Sequence, residues 1–105
     1  MCPLRQRDPQ FTWPLYPLDP GTLYVNFGFW STVPLEPGQV DGTHNRLIER
    51  TVEELGGRKS LYSTSYYDED DFWRLYNGEV YRRLKKQYDP DGRLLDLYAK
   101  CVEKR

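Results

Sequence analysis

Prolines are concentrated at the beginning of the chain, and they restrict what this part can form. Five of the eight prolines lie before residue 22, at Pro3, Pro9, Pro14, Pro17 and Pro20. Because proline fixes φ and lacks an amide proton, it interrupts helices and is confined to sheet edges. Residues 1–21 are therefore predicted to form a short edge strand around Cys2 to Arg5 and then an extended loop with Trp13 and Tyr16.

Two later segments have the two-residue alternation of β-strands, and a helix is predicted between them. The strands are Thr22–Trp30 and Lys59–Tyr67, both rich in aromatic residues. The helix is expected to be capped by Asp41 or Thr43 and to end at Gly56–Gly57. Apolar and small side chains at helical spacing predict one buried stripe on it: His44, Leu47, Ile48, Thr51, Val52 and Leu55.

Three short helices are predicted in the last third of the chain. The acidic run Asp68–Asp71 favours a helix start, Asn77–Gly78 ends that helix, and a turn at Asp89–Gly92 separates the next two. The inward side chains of the last two helices are expected to be Val80, Tyr81, Leu84, Tyr88, Leu94, Leu97, Tyr98, Cys101 and Val102. The element order predicts an α+β fold, a small antiparallel sheet with helices packed on one face. Two or three strands do not form a stable sheet by themselves. We therefore expect partner strands from outside this sequence.

The charge balance and the cysteines exclude several classes of function. The net charge is -1, and the basic cluster Arg82–Lys86 is answered by Asp68–Asp71, so we expect no nucleic-acid partner. Cys2 and Cys101 stand alone, which indicates free thiols in a reducing compartment. Since no apolar run approaches spanning length, we expect a cytoplasmic protein, with peripheral membrane association left open. Neither metal spacing nor a nucleophile motif is present.

Uncharged polar side chains line one side of the predicted strands. Thr22, Tyr24 and Asn26 alternate along the first strand, and Tyr62 and Ser65 lie on the second. Such groups orient a ligand or a conjugated ring by hydrogen bonds and are unsuited to acid–base work at neutral pH. The alternative from the residues alone is that these tyrosines pack against partner strands.

Several segments, in order along the chain, resemble a known family. They are Leu23–Gly28, Gly56–Ser65 followed by Glu69–Tyr81, and Leu84–Pro90. They are similar to the C-terminal region of FAD-linked oxidases of the vanillyl-alcohol-oxidase (PCMH) type, in the Δ24-sterol-reductase-like branch. In that branch an "FW…GELY" pattern and a closing "K-x-Y-D-P" segment occupy these places. Cys2–Leu4 resembles the family's "W-x-C-P" strand.

The resemblance implies that residues 22–105 form a C-terminal cap domain, a partial ferredoxin-like fold. The FAD-binding domain, which lies N-terminal in the family, would be absent from this sequence, making the chain a fragment that is inactive alone. The cap would shape the substrate pocket over the flavin, with NAD(P)H as a candidate electron donor. Tyr62 and Ser65 would contact the cofactor, and Thr22, Tyr24 and Asn26 the substrate.

The implied substrate is a sterol, an isoprenoid or another small apolar molecule, and the implied protein partner is the intramolecular FAD-binding domain. Related decaprenylphosphoryl-ribose oxidases carry a lysine at the position that matches Ser65. Because serine cannot stabilise reduced flavin by charge, this difference favours the reductase branch. The alternative is a free-standing α+β module that binds a ligand or a protein without catalysis.

Overall fold

An antiparallel strand pair joins the two N-terminal β segments. The computed structural model describes residues 1–5, 8–16 and 18–105; Gln6, Arg7 and Pro17, within the predicted loop, lie outside the described residues. Strand β1 (Cys2–Leu4) pairs with β2 (Tyr24–Asn26), with Pro3 opposite Val25. Proline tolerates this position because an edge strand does not need its amide proton.

Strand β2 is shorter than the predicted Thr22–Trp30. Three residues of β1 are the only described backbone that pairs with it, so the ladder ends at Asn26. Residues 27–30 continue without a partner, and the side chains of Phe27, Phe29 and Trp30 are exposed. Alternation in the sequence identified the strand, but the length of its partner set its extent.

Helix α1 (Thr43–Glu54) follows Gly42. The predicted cap at Asp41 or Thr43 is wrong: the N-cap position is Gly42, and Thr43 instead bonds the backbone of Val40. Gly42 has φ 82°, and a Cβ there would lie 2.3 Å from the ring of Tyr66, so only glycine fits. The predicted stop is confirmed, since the amide groups of Gly56 and Gly57 bond the last turn.

The predicted buried stripe of α1 is wrong. Leu47, Ile48, Thr51 and Leu55 are exposed, His44 and Val52 are half-buried, and the buried residue of the helix is Glu49. No other helix or strand among residues 1–5, 8–16 and 18–105 packs closely on α1. An amphipathic pattern shows that a face is apolar, but what covers it depends on the rest of the fold.

The segment 59–67 is not a strand, contrary to the prediction. Its backbone groups are bonded by side chains and by a distant carbonyl instead of a strand ladder. The amide of Ser65 donates to the carbonyl of Cys101 at 3.0 Å, and the carbonyl of Lys59 accepts from the hydroxyl of Tyr76 at 2.6 Å. These partners satisfy the hydrogen-bonding groups of the backbone although its path is irregular. The alternation of residue types alone therefore gave a wrong prediction.

Three helices enclose the core, as predicted in number and order: α2 (Glu69–Leu75), α3 (Gly78–Tyr88) and α4 (Leu97–Cys101). The core cluster consists of Tyr67, Phe72, Leu75 and Tyr76. The rings of Phe72 and Tyr76 lie 4.9 Å apart, and aromatic pairs at such distances add to the free energy of burial. The core therefore lies at α2, between α3, α4 and residues 65–67.

Two of the predicted inward side chains point to solvent. Tyr88 is exposed at the end of α3, and Leu94 is exposed before α4 begins. The others, among them Tyr81 and Leu97, are half-buried. Asp96 caps α4 by accepting the amide proton of Ala99 at 2.7 Å, so α4 starts after Leu94 and leaves that side chain outside it.

One two-stranded antiparallel sheet and four helices make up the regular structure of the described residues. The predicted α+β class with a small antiparallel sheet is confirmed. In the part of the chain that the structure describes, no helix has the length and apolar character to cross a membrane.

Candidate functional site

A groove of about 1420 Å³ separates the strand pair from helix α1. One wall is formed by β1, β2 and the extension to Trp30, and the other by α1 with the segment 55–66. Its volume exceeds that of an ordinary small-molecule pocket, roughly 300–1,000 Å³. Aromatic and aliphatic side chains dominate the walls: Phe27, Phe29, Trp30, Ile48, Val52 and Leu55.

A buried ion pair organises the wall that carries α1. The carboxylate of Glu49 lies 2.6 Å from the ammonium of Lys59 and also accepts the amide proton of Tyr66, at 3.1 and 3.2 Å from its two oxygens. Lys59 donates further to the carbonyl of Thr64 at 2.5 Å. These bonds tie both ends of the loop 59–66 to α1, so Tyr62 is carried at the tip of a closed loop.

Tyrosine hydroxyls support the same loop from the core side. Tyr76 donates to the carbonyl of Lys59, and Tyr16 donates to the carbonyl of Arg58 at 3.3 Å. Burial raises the pKa of Tyr16 and of Tyr76 above the ordinary value of a phenol. Both hydroxyls therefore stay protonated at neutral pH and act as hydrogen-bond donors, with no role as bases.

The three residues predicted to contact substrate lie in different settings. Tyr24 and Asn26 line the groove, whereas Thr22 is absent from its lining. The hydroxyl of Tyr24 accepts the amide proton of Asp19 at 3.0 Å, which fixes the ring against the loop. The hydroxyl of Thr22 donates to the carboxylate of Asp19 at 3.1 Å and thereby closes a turn at the surface.

The two residues predicted to contact cofactor also separate. Tyr62 lines the groove, and its ring centroid lies 6.5 Å from that of Trp30, with the rings tilted at 50°. Ser65 is fully buried beside the core and lies outside the groove lining. Its hydroxyl has no hydrogen-bond partner among the described residues. The structure thus brings Tyr24, Asn26 and Tyr62 around one groove and sets Thr22 and Ser65 apart.

Sequence reasoning missed several groove residues that carry a charge or a ring, among them Arg58, Glu49 and Trp30. The Nε of Arg58 is buried and has no partner among residues 1–5, 8–16 and 18–105, although its Nη1 donates to the carbonyl of Gly57 at 2.8 Å. One signal for Glu49 was available: it adjoins the apolar stripe of α1, where a buried carboxylate requires a partner.

A cation site finds no support in the side chains. Among the residues that the structure describes, no three His, Cys, Asp or Glu side chains group as metal ligands would. The groove lining offers ring surfaces, uncharged polar groups, the guanidinium of Arg58, the carboxylate of Asp19 and the ion pair of Glu49 with Lys59.

Comparison with known proteins gives similarity to one kind of enzyme. No family model matches the chain, and no solved structure matches it. A Delta(24)-sterol reductase of Arabidopsis thaliana is 35% identical over 60 residues, which cover 57% of this chain and 11% of that protein. The Delta(24)-sterol reductases of Rattus norvegicus and Mus musculus are each 26% identical over 85 residues, which cover 81% of this chain and 16% of those proteins.

The chain thus spans between 11% and 16% of the length of these curated relatives. The similarity to Δ24-sterol reductases that the sequence motifs predict is confirmed as a local similarity.

Proposed function

We propose that the chain is the substrate-side, C-terminal part of an FAD-dependent oxidoreductase similar to the Δ24-sterol reductases, and that it shapes the substrate pocket over the flavin. The observation that carries the proposal is the local similarity to plant and mammalian Delta(24)-sterol reductases. The groove supports it, because a large cleft whose walls combine aromatic and aliphatic side chains with polar groups suits a flat, largely apolar ligand.

The groove has features that fit the ring end of a flavin. The Nε–H of Arg58 is a buried donor without a partner among the described residues, and a heterocycle with carbonyl oxygens would satisfy it. Trp30 and Tyr62 offer aromatic faces in the same groove. The sequence has no glycine-rich phosphate turn, so the diphosphate would be held by an intramolecular FAD-binding domain.

Bound flavin would supply hydride transfer, with NAD(P)H as the proposed electron donor. Residues of this chain would orient the reactants and exclude water from them. Tyr62 and Ser65 are the proposed cofactor contacts. Ser65 lies outside the groove lining, and its support is only that its buried hydroxyl has no partner among the described residues.

Thr22, Tyr24 and Asn26 are the proposed substrate contacts, and the substrate is a sterol, an isoprenoid or another small apolar molecule. Tyr24 and Asn26 reach the groove directly. Thr22 would act indirectly, through Asp19. The carboxylate of Asp19 accepts a hydrogen bond from the hydroxyl of Thr22, and its backbone amide donates one to the hydroxyl of Tyr24. We propose a cytoplasmic protein with peripheral membrane association, which would deliver such a substrate.

A second candidate function is a free-standing interaction module. The exposed apolar side chains Phe29, Trp30, Leu47 and Leu55 favour it, since large exposed apolar patches mark interaction surfaces. In the first proposal the same surface packs on the FAD-binding domain, so the observation fits both.

The intact mass and the absorbance spectrum of the native polypeptide that carries this sequence separate the two. The first proposal expects a mass on the order of 50 kDa and the absorbance of stoichiometric flavin. A native polypeptide of the mass of these residues alone, without flavin, would refute it and leave the interaction module.

A further inference from the structure

A second cavity, of about 300 Å³, adjoins the groove, and we call it the side pocket. It shares four lining residues with the groove: Leu4, Tyr16, Asn26 and Ser60. Its other lining residues come from the loop before β2, the segment after Lys59 and the core: Leu15, Leu61, Tyr76 and Leu97. The two cavities therefore lie side by side around these four residues.

The side pocket is mainly apolar. Four leucines line it, and no charged side chain does. The hydroxyls of Tyr16 and Tyr76 are directed to the carbonyls of Arg58 and Lys59, which leaves their stacked rings, 6.4 Å between centroids, as the lining surface. A polar group that entered here would lose its hydrogen bonds to water without gaining others, which costs free energy. A hydrocarbon chain has no such bonds to lose.

The polar side chains lie where the two cavities meet. Asn26 and Ser60 line both the groove and the side pocket. An amide and a hydroxyl at this junction can bond one polar group of a ligand whose hydrocarbon part points inward.

We propose that the side pocket binds the aliphatic end of the ligand, with a polar group of that ligand at Asn26 and Ser60. The inference rests on the proposed function only in taking the groove as the ligand site. The occupant is an unbranched or branched hydrocarbon chain, because the lining is mainly apolar. The volume of about 300 Å³ is at the small end of ligand cavities. Charged or sugar-like ends are excluded by the lining.

A homologous series of 1-alkanols tests the inference on the native full-length polypeptide by calorimetric titration. Each added methylene should tighten Kd by about fourfold while the chain still enters the pocket. Beyond the length that fills the pocket, Kd should change no further. A Kd that is independent of chain length, or no binding of any member, would overturn the inference.

Two substitutions of Leu15, which lies in the loop, locate the effect. Leu15→Trp should end the dependence on chain length at a shorter alcohol, and Leu15→Ala should extend it to a longer one. Leu95→Trp is the control, since this exposed leucine lines neither cavity. If Leu15→Trp does not fold, as shown by circular dichroism, Leu15→Ala still decides. An unchanged break point in a folded Leu15 variant would contradict the side pocket.

These titrations need neither flavin reduction nor turnover, so they fail independently of the proposed function. A break point that follows Leu15 in a protein without flavin would retain the side pocket and reject the oxidoreductase. If the protein contains flavin but the break point does not follow Leu15, the oxidoreductase is retained and the side pocket is rejected.

Discussion

At the scale of single residues, Glu49 is the side chain whose setting differs most from that of its neighbours on α1. It is 4% exposed on a helix whose Leu47 and Ile48 side chains are exposed. Its carboxylate connects the ammonium of Lys59 with the backbone of Tyr66. A carboxylate is retained at such a site only where every acceptor is used, because desolvation of an unpaired charge is costly.

Glu49→Gln should lower the free energy of unfolding by about 1–3 kcal/mol, because it leaves Lys59 without a counter-charge. Urea unfolding followed by tryptophan fluorescence measures the change. Glu54→Gln is the control, since Glu54 is exposed on the same helix, and it should stay within about 0.5 kcal/mol. Equal stability of the two variants would mean that the ion pair does not hold the loop.

Two buried tyrosines make stability depend on alkaline pH. Burial, aided by the negative charge of Glu49, raises the pKa of Tyr67 to about 12 from 10.0, and burial raises the pKa of Tyr76 as well. The folded state therefore holds these protons more tightly than the unfolded state. The stabilisation is complete below pH 10 and is lost as pH rises from 10 through 12.

We expect the free energy of unfolding to be flat just below pH 10 and to fall above it. Denaturant titrations at a series of alkaline pH values measure this slope. Tyr67→Phe removes one of the tyrosines with a raised pKa and should reduce the slope. A Tyr88→Phe control at an exposed position should leave the slope unchanged. A slope that Tyr67→Phe leaves unchanged would place the cause elsewhere.

At the scale of elements, helix α1 and helix α2 contrast in how they use apolar residues. Leu47 of α1 is 61% exposed, whereas Leu75 of α2 is 4% exposed within the aromatic core. Helix α1 is held by Glu49 and by the ion pair of Glu53 with Arg74 at 2.6 Å. Its apolar face is therefore a wall and an outer surface, with no part in the core.

Leu75→Ala should cost about 2–5 kcal/mol through a core cavity. Leu47→Ala should change the stability of this chain by less than about 0.5 kcal/mol. Thermal unfolding of the two variants and of the wild type measures both changes in stability. A comparable loss for Leu47→Ala would show that the face of α1 is covered within the chain after all.

The same contrast shows what the sequence could predict. Local signals located every helix within a few residues, because glycine stops and acidic starts act within one turn. Residues 59–67 were mistaken for a strand, since the bonds of Ser65 to Cys101 and of Lys59 to Tyr76 join distant parts of the chain. The polar sides of Tyr24, Asn26 and Tyr62 pointed to one groove, but the contributions of Glu49 and Arg58 required the tertiary fold.

At the scale of the whole molecule, the core and the groove lie in different places. Helices α2 and α4 pack around Phe72 and Tyr76, while the strand pair and α1 enclose the groove with few contacts between them. Exposed aromatic residues, among them Phe29 and Trp30, lie along its edge. Exposure of so many apolar side chains to water is unfavourable in free energy. We therefore expect a further domain or a large apolar ligand to cover this edge.

The flavin spectrum of two matched variants of the native full-length protein tests most directly whether this groove lies over a flavin. Tyr62 lines the groove and is 74% exposed, and Tyr88 lies outside it and is 76% exposed. Tyr62→Ala should shift the flavin absorbance and raise KM for an apolar substrate roughly two- to tenfold, as expected for the loss of one aromatic contact. Tyr88→Ala should do neither. If both variants keep the wild-type spectrum and KM, the groove does not lie over the flavin, and the central claim fails.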